Sequence, residues 1–231
     1  MRAFVALIPP ARALAELDDA VAPLRAAHPD LRWTPREQWH LTLAFLGEVD
    51  EAVLPDLTER LARAARRHRR VELAFAGGGR FGDRVLWTRV VDPADREGRC
   101  ANLEREGRCA PVGRESPVST GRVLRSDRAA PGPQNAGAAD GLRRLAASVG
   151  AAARRCGILV EDRPYRPHLT LARTRAGADL RAAAALLSGF TGSSWTADAL
   201  YLVRSRLGAG PGGTAAHDAV GSWPLGGNVS S

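Results

Sequence analysis

Two copies of one pentapeptide hold the residues best suited to chemistry in this chain. The sequence HLTLA spans residues 40–44 and recurs at residues 168–172. Successive side chains of a β-strand point to opposite faces, so the His and Thr of each copy share one face and the two Leu share the other. We expect the Leu face to pack against helices and the His and Thr to face an open groove. If the two copies meet around a pseudo-twofold axis, one cleft receives two imidazoles and two hydroxyls.

Two histidines in one cleft suit acid and base catalysis at a phosphodiester. A neutral imidazole can take a proton from water while an imidazolium protonates the departing oxygen, because a reference pKa of about 6.5 allows both forms near neutral pH. Threonine hydroxyls can donate hydrogen bonds to non-bridging phosphate oxygens, whose charge grows at the pentavalent stage. This chemistry requires no metal. Two unrelated strand histidines in structural roles are the alternative, which the duplication of the motif disfavours.

The elements that must position these residues follow from hydrophobic spacing and turn residues. Apolar residues three and four apart predict helices around residues 14–24, 53–61, 142–149 and 180–187. Short apolar runs predict strands at residues 3–8, 41–46, 71–76, 84–91, 168–172, 195–205 and 216–223. The three glycines at 77–79 are expected to form the turn between two of these strands. This alternation predicts an α/β or α+β sheet domain with helices outside.

Composition excludes several other classes of protein. The chain has 231 residues, of which 45% are hydrophobic and 25% charged, as in a globular protein rather than a disordered one. No apolar run reaches the roughly 18 residues of a membrane span. The short apolar N-terminus predicts a first strand rather than a signal peptide, so we expect a cytoplasmic protein. Three cysteines without a C-x-x-C pair predict neither a disulfide scaffold nor a zinc site.

The net charge of +8 suggests a polyanionic partner. All 33 basic residues are arginine in a chain rich in alanine and glycine, so composition bias explains the charge equally well. Residues 93–139 differ from the rest, with few large apolar residues and a hexapeptide, REGRCA, at 96–101 and again at 105–110. A packed core cannot be built from such a segment, which predicts a mobile insertion of low complexity.

The flanks of the two motifs resemble the 2H phosphoesterases, and among them the RNA 2′,3′-cyclic phosphodiesterases, also called 2′-5′ RNA ligases. The resemblance lies in residues 39–49 and 163–173, with shorter stretches at 2–6, 85–87, 202–205 and 221–225. It covers residues 1–92 and 140–226. It implies an α+β fold with two pseudo-symmetric lobes of mainly antiparallel sheet, outer helices and a central groove. These form one bilobal domain over 1–226, interrupted by 93–139, with a tail at 227–231.

The resemblance also implies an activity, which is hydrolysis of the 2′,3′-cyclic phosphate at an RNA end to a 2′-phosphomonoester. His40 would donate a proton to the leaving 3′-oxygen, and His168 would accept one from water. Thr42 and Thr170 would hold the phosphate, with neither a metal nor another cofactor. Ligation through a 2′-5′ bond would be the same chemistry in reverse. The partner would be RNA with a cyclic phosphate end, and we expect a monomer that does not associate with membranes.

Four further residues are weaker candidates. Arg166 and Arg173 flank the second motif and are possible substrate contacts, although Arg173 lies five residues after the histidine. That odd offset turns it away from the groove unless the strand twists or ends there. Phe45 has the same offset in the first motif, so core packing is favoured over stacking on a base. His217 stands where the family often has Tyr, and we expect it to be structural at a strand edge.

Two other interpretations of the function stay open. The first is a non-catalytic RNA-binding module that uses a basic groove. The intact pair of His and Thr argues against it, because binding alone does not need two titratable imidazoles. The second is a cyclic phosphodiesterase that acts on a small nucleotide, which nothing in the sequence excludes.

Overall fold

The computed structural model describes residues 1–93, 138–174, 179–210 and 213–226. The α-helices of these ranges are α1 (Ala11–Ala27), α2 (Leu54–Arg67), α3 (Ala138–Arg155) and α4 (Leu180–Leu186), and two short 3-10 helices span Arg36–Gln38 and Glu51–Val53. The strands are β1 (Arg2–Leu7), β2 (Arg32–Trp33), β3 (Leu41–Glu48), β4 (Val71–Phe81), β5 (Val85–Val91), β6 (His168–Arg173), β7 (Trp195–Ala197), β8 (Ala199–Arg206) and β9 (Ala216–Pro224). The predicted insertion, except at its two ends, and the predicted tail lie outside the described residues.

The strands form two sheets. The first has the order β3-β1-β8-β9 and the second has the order β2-β6-β5-β4-β7, and every described strand pair is antiparallel. The two HLTLA motifs therefore lie in different sheets, the first leading into β3 and the second in β6. The α+β fold of two antiparallel lobes with outer helices is confirmed.

The leucines of both motifs lie in one hydrophobic core. Leu41 and Leu43 of β3, and Leu169 and Leu171 of β6, are all buried in the same cluster. Full burial of a leucine side chain stabilises the fold by roughly 1.5–3 kcal/mol. Helix α3 packs on β3 and β4, while α2 packs on α3 and β9. The Leu face of each motif is thus fixed in the core, which commits the His and Thr to the opposite face.

The predicted turn at residues 77–79 is wrong, because β4 continues through these glycines to Phe81. The turn comes later, at Gly82, which has a φ of +54°. The ladder between β4 and β5 shifts register before Gly78, at a bulge where Gly77 has a φ of +69°. A Cβ on Gly79 would stand 2.3 Å from the ring of Trp87. The glycines therefore serve a bulge and a close ring approach rather than a turn.

The single strand predicted over residues 195–205 is also two strands. The strand is interrupted at Asp198, so that β7 joins the edge of the second sheet and β8 lies inside the first. Burial explains the interruption, since Trp195 and Ala197 are buried at odd positions whereas Leu200 and Leu202 are buried at even ones. One unbroken strand cannot bury both sets on the same face.

Candidate active site

One groove receives both motifs. Its cavity has a volume of about 830 Å³ and is lined by His40 and Thr42 from the first sheet and by His168 and Thr170 from the second. His40 stands just before β3 and Thr42 lies on it, whereas His168 and Thr170 lie on β6, and the cavity between them is open to a ligand. The arrangement can place an acid, a base and two hydroxyl donors around one substrate group.

Both imidazoles are oriented in the same way by the backbone just before them. The Nδ1 of His40 lies 2.6 Å from the carbonyl oxygen of Gln38, and the Nδ1 of His168 lies 2.7 Å from that of Arg166. A carbonyl accepts hydrogen bonds only, so Nδ1 donates in each case. The Nε2 atom is therefore the one left to exchange a proton. Arg166 contributes to the site through this carbonyl, and its side chain is not among the residues that line the cavity.

A β-bulge interrupts the first motif. Val5 and Ala6 are neighbours in β1, yet they pair with Ala44 and Thr42 of β3. Leu43 is thus an extra residue in β3. Because the side-chain period of a strand is two residues, one extra residue exchanges the faces of the residues that follow it, here up to a second register shift after Phe45.

The second motif has the same bulge. Leu86 and Trp87 of β5 pair with Ala172 and Thr170 of β6, which leaves Leu171 as the extra residue. Leu171 and Ala172 are consecutive and both buried, as the bulge requires. The extra residue is the second leucine of the pentapeptide in both copies.

The two bulges return the odd-offset residues to the groove. Phe45 and Arg173 each lie five positions after a motif histidine, and both line the cavity. Phe45 is 61% exposed, so the expectation that it packs in the core is wrong. The orientation of Arg173 away from its histidine, expected for an unbroken strand, is wrong for the same physical reason.

Two rings from other strands contact the first histidine, and the sequence analysis assigned neither of them to the site. Phe4 stacks on His40 with ring centroids 4.5 Å apart and planes 23° apart. His217 approaches His40 edge-on at 5.2 Å. It lies on the edge strand β9, as expected, but it lines the cavity instead of serving only the structure. No spacing signal links Phe4 or His217 to the motifs, because the antiparallel pairing of distant strands brings them together.

Different rings flank the second histidine. Phe81 meets His168 edge-on at 4.8 Å, and Trp87 meets it at 6.1 Å. Phe81 ends β4, and Trp87 lies on the neighbouring strand β5. The glycines that precede Phe81 leave room for this arrangement, since the Trp87 ring covers Gly79.

Burial keeps both motif histidines neutral near pH 7. It is the main cause that lowers the pKa of His40 to about 4, and the positive charges of His217, His168 and Arg173 act in the same direction, against the opposing hydrogen bond to Gln38. Burial also lowers the pKa of His168, with Arg173 adding to the effect while the Arg166 carbonyl opposes it. An anion in the groove would raise both pKa values, because an opposite charge favours the protonated form.

The described residues that line the cavity include three arginines, Arg2, Arg32 and Arg173, and no carboxylate. Arg32 donates a 2.7 Å hydrogen bond to the carbonyl oxygen of Gly213, which ties the second sheet to the loop before β9. In the described part of the chain, no three His, Cys, Asp or Glu side chains are grouped to hold a metal. No helix of the described ranges is long and apolar enough to cross a membrane.

Two antiparallel sheets that face a shared groove, with one His-x-Thr on each, define the class of two-histidine phosphoesterases. The chain belongs to the family whose model is described as LigT like Phosphoesterase, and the model matches residues 8–91 and 132–212.

Individual relatives agree with this family. An RNA 2′,3′-cyclic phosphodiesterase of Geobacillus stearothermophilus is 38% identical over 66 residues, which are 27% of this chain and 21% of that relative. The chain is thus matched over about a fifth of that relative's length. Among solved structures, E. coli LigT complexed with 3′-AMP has a TM-score of 0.60 at 22% identity, with 97% of each chain covered. TT0787 of Thermus thermophilus has a TM-score of 0.58 at 26% identity, with 99% of this chain and 100% of that chain covered.

Proposed function

We propose that this phosphoesterase hydrolyses the 2′,3′-cyclic phosphate at RNA ends to a 2′-phosphomonoester. The observation that carries the proposal is the convergence of His40, Thr42, His168 and Thr170 on one cavity, with both imidazoles fixed through Nδ1. The curated relative named as an RNA 2′,3′-cyclic phosphodiesterase and the 3′-AMP bound to E. coli LigT both support it. A cytoplasmic monomer remains a prediction.

The four motif residues divide the reaction between them. His168 takes a proton from water through Nε2 while the water oxygen bonds to phosphorus. The bond between phosphorus and the 3′-oxygen breaks, and His40 gives its Nε2 proton to that oxygen. The hydroxyls of Thr42 and Thr170 donate to the non-bridging oxygens as their charge grows. With a ribose 5′-hydroxyl in place of water, the same step would form a 2′-5′ bond and release the 3′-hydroxyl, which gives ligation without ATP.

The negative charge of the substrate must help to keep His40 protonated. Without a nearby anion His40 is neutral at pH 7, because its pKa is lowered to about 4. A phosphate anion at the two threonines places a negative charge beside the imidazole and raises the pKa of His40. The donor form is thereby favoured when a substrate is present.

Two further side chains are proposed as substrate contacts. The charge of Arg173 lowers the pKa of both His40 and His168, so its guanidinium lies near enough to both to bind a phosphate oxygen between them. Phe45 offers an exposed ring beside Phe4, at 6.2 Å between centroids, on which a base can stack.

A small cyclic nucleotide is the second candidate substrate. The cavity volume of about 830 Å³ falls within the range typical of small-ligand pockets. The two candidate substrates can be distinguished by comparing a dinucleotide that ends in a 2′,3′-cyclic phosphate with a longer oligonucleotide that has the same end. Equal kcat/KM for both would favour the small substrate, whereas a higher value for the longer chain would favour RNA.

The decisive experiment is hydrolysis in EDTA of an oligonucleotide that ends in a 2′,3′-cyclic phosphate, followed by assignment of the product phosphate. The expected product carries the phosphate on the 2′-oxygen. A 3′-phosphate would contradict the assignment of the leaving oxygen, and a strict need for a divalent metal would contradict the two-histidine mechanism. Absence of turnover with intact binding would favour the RNA-binding module.

A further inference from the structure

The proposed reaction leaves one titratable ring of the groove without a task. His217 lies on β9 and lines the same cavity as His40. Its ring meets His40 edge-on, with 5.2 Å between centroids and 78° between planes, and meets Phe4 edge-on at 5.1 Å. Phe4 stacks on His40 in turn. The three rings form a closed cluster in which each member contacts the other two.

Hydrogen bonding through Nδ1 does not explain the position of His217. This atom is enclosed and has no hydrogen-bond partner among the described residues. Burial lowers the pKa of His217, and only Asp218 opposes that shift. Asp218 is itself paired with Arg204 and Arg206, whose positive charges offset its effect on the imidazole of His217. The described contacts that fix the ring are therefore those with His40 and Phe4.

The imidazole of His40 needs such a contact. Its single described hydrogen bond, from Nδ1 to Gln38, sets the direction of the ring, but one hydrogen bond still permits a range of ring torsions. The terminal torsion of histidine is broad, so packing on the ring decides its plane. Phe4 stacks on a face of the ring, and His217 contacts the ring in a T-shaped arrangement.

We propose that His217 is a positioning residue for His40, which holds the imidazole plane so that Nε2 meets the leaving oxygen. The proposal rests on the proposed function for the identity of that oxygen, whereas the contact between the two rings does not depend on it. The same contact couples the charges of the two histidines, because a protonated His217 places a positive charge beside His40. This charge adds to those of His168 and Arg173, and all three disfavour protonation of His40. Removal of His217 should therefore raise the pKa of His40.

The test compares His217→Ala, His217→Phe and the control His28→Phe, which removes a histidine outside the groove. Hydrolysis of the cyclic-phosphate oligonucleotide gives kcat and KM, and NMR titration of the ring resonances gives the pKa of His40. We expect His217→Ala to lower kcat by about tenfold, since small misplacements of a reacting group are costly, with KM nearly unchanged. His217→Phe should keep kcat near that of the wild type. Both variants should raise the pKa of His40, and the control should leave all three quantities unchanged.

Two results would overturn the proposal. One is an unchanged titration of His40 in both variants, and the other is a His217→Phe protein as slow as His217→Ala, which would give His217 a polar role instead. If His217→Ala does not fold, the titration and kcat of His217→Phe decide. The titration needs no turnover, so a wild-type protein inactive on the cyclic phosphate would refute the proposed function and still leave the contact tested.

Discussion

The two halves of the groove start from the same pentapeptide and share their local geometry. In each, the histidine donates through Nδ1 to the carbonyl two residues before it, and the second leucine forms a bulge. The position five residues after the histidine then faces the groove, and here the halves diverge. The first half offers Phe45 and the second offers Arg173.

Their surroundings diverge as well. His40 is covered by the stacked ring of Phe4 and the edge of His217, whereas His168 meets the edges of Phe81 and Trp87. The local motif thus sets the direction of each imidazole, and strands outside the repeat set its environment. The duplicated motif thus lies in two chemically distinct environments, because its neighbours are not duplicated.

Loss of either motif histidine tests whether both halves of the groove are needed. Replacement of His40 or of His168 by Ala should lower kcat by about 10²–10⁴, the usual contribution of one acid or base. The double variant should lose less than the product of the two, since residues that act as a unit are not additive. Single-turnover hydrolysis measures the loss, and thermal unfolding checks that the fold persists. A single variant with near wild-type turnover would mean that its half of the groove is dispensable.

The next effect tests the charged side of the comparison. Arg173→Gln should lower kcat/KM by about 10- to 100-fold, the equivalent of a charged hydrogen bond of about 1.5–3 kcal/mol. Arg173→Lys should recover part of the loss, because lysine keeps the charge and loses the guanidinium fork. Arg166→Gln is the matched control, since that side chain does not line the cavity. Equal losses in the two glutamine variants would indicate long-range attraction instead of contact.

The aromatic side of the comparison predicts a smaller effect that depends on the substrate. Phe45→Ala should raise KM for a cyclic-phosphate dinucleotide by about tenfold, within the range for removal of one base-stacking ring. KM for ribose 2′,3′-cyclic phosphate, which has no base, should not change. Phe45→Tyr serves as the control and should behave as the wild type with both substrates. A similar rise for the substrate without a base would show that Phe45 supports the groove instead of a base.

The last effect concerns stability instead of turnover and follows from the buried first histidine. An unfolded chain protonates histidine near pH 6.5, about its reference value, whereas the pKa of His40 in the fold is about 4. Between these values the unfolded state binds more protons, so the free energy of unfolding falls as the pH drops through this window. One such group contributes at most about 1.4 kcal/mol per pH unit.

Urea unfolding of the wild type and of His40→Gln at a series of pH values checks this sign. The variant should have a shallower fall between about pH 6.5 and 4. Burial also lowers the pKa of His168 and His217, so part of the slope should persist. An identical slope in the two proteins would show that His40 is already solvated and can protonate in the fold.

Local pattern was sufficient for most of the architecture. Alternation within each HLTLA copy placed the leucines in the core and the histidine and threonine on the other face, as the structure has them. Helical spacing located the four α-helices of the described ranges. These features depend on neighbours within one turn or one strand, so the sequence states them directly.

Positions that depend on a partner strand could not be obtained in this way. Apolar content alone did not reveal the interruption at Asp198. The sign of it was the change from buried residues at odd positions before Asp198 to buried residues at even positions after it. The glycines at 77–79 indicated a turn because glycine favours turns, whereas a bulge and the ring of Trp87 are what require them.

The two histidines, the two threonines and the shared face of each pair can be identified from the chain alone, since a strand period of two residues needs no other information. The fold brings Phe45 and Arg173 into the groove, because the bulges exist only in the register with β1 and β5. It alone also placed His217 against the first histidine, since that contact requires β9 to lie in the same sheet as β3, far away in the chain.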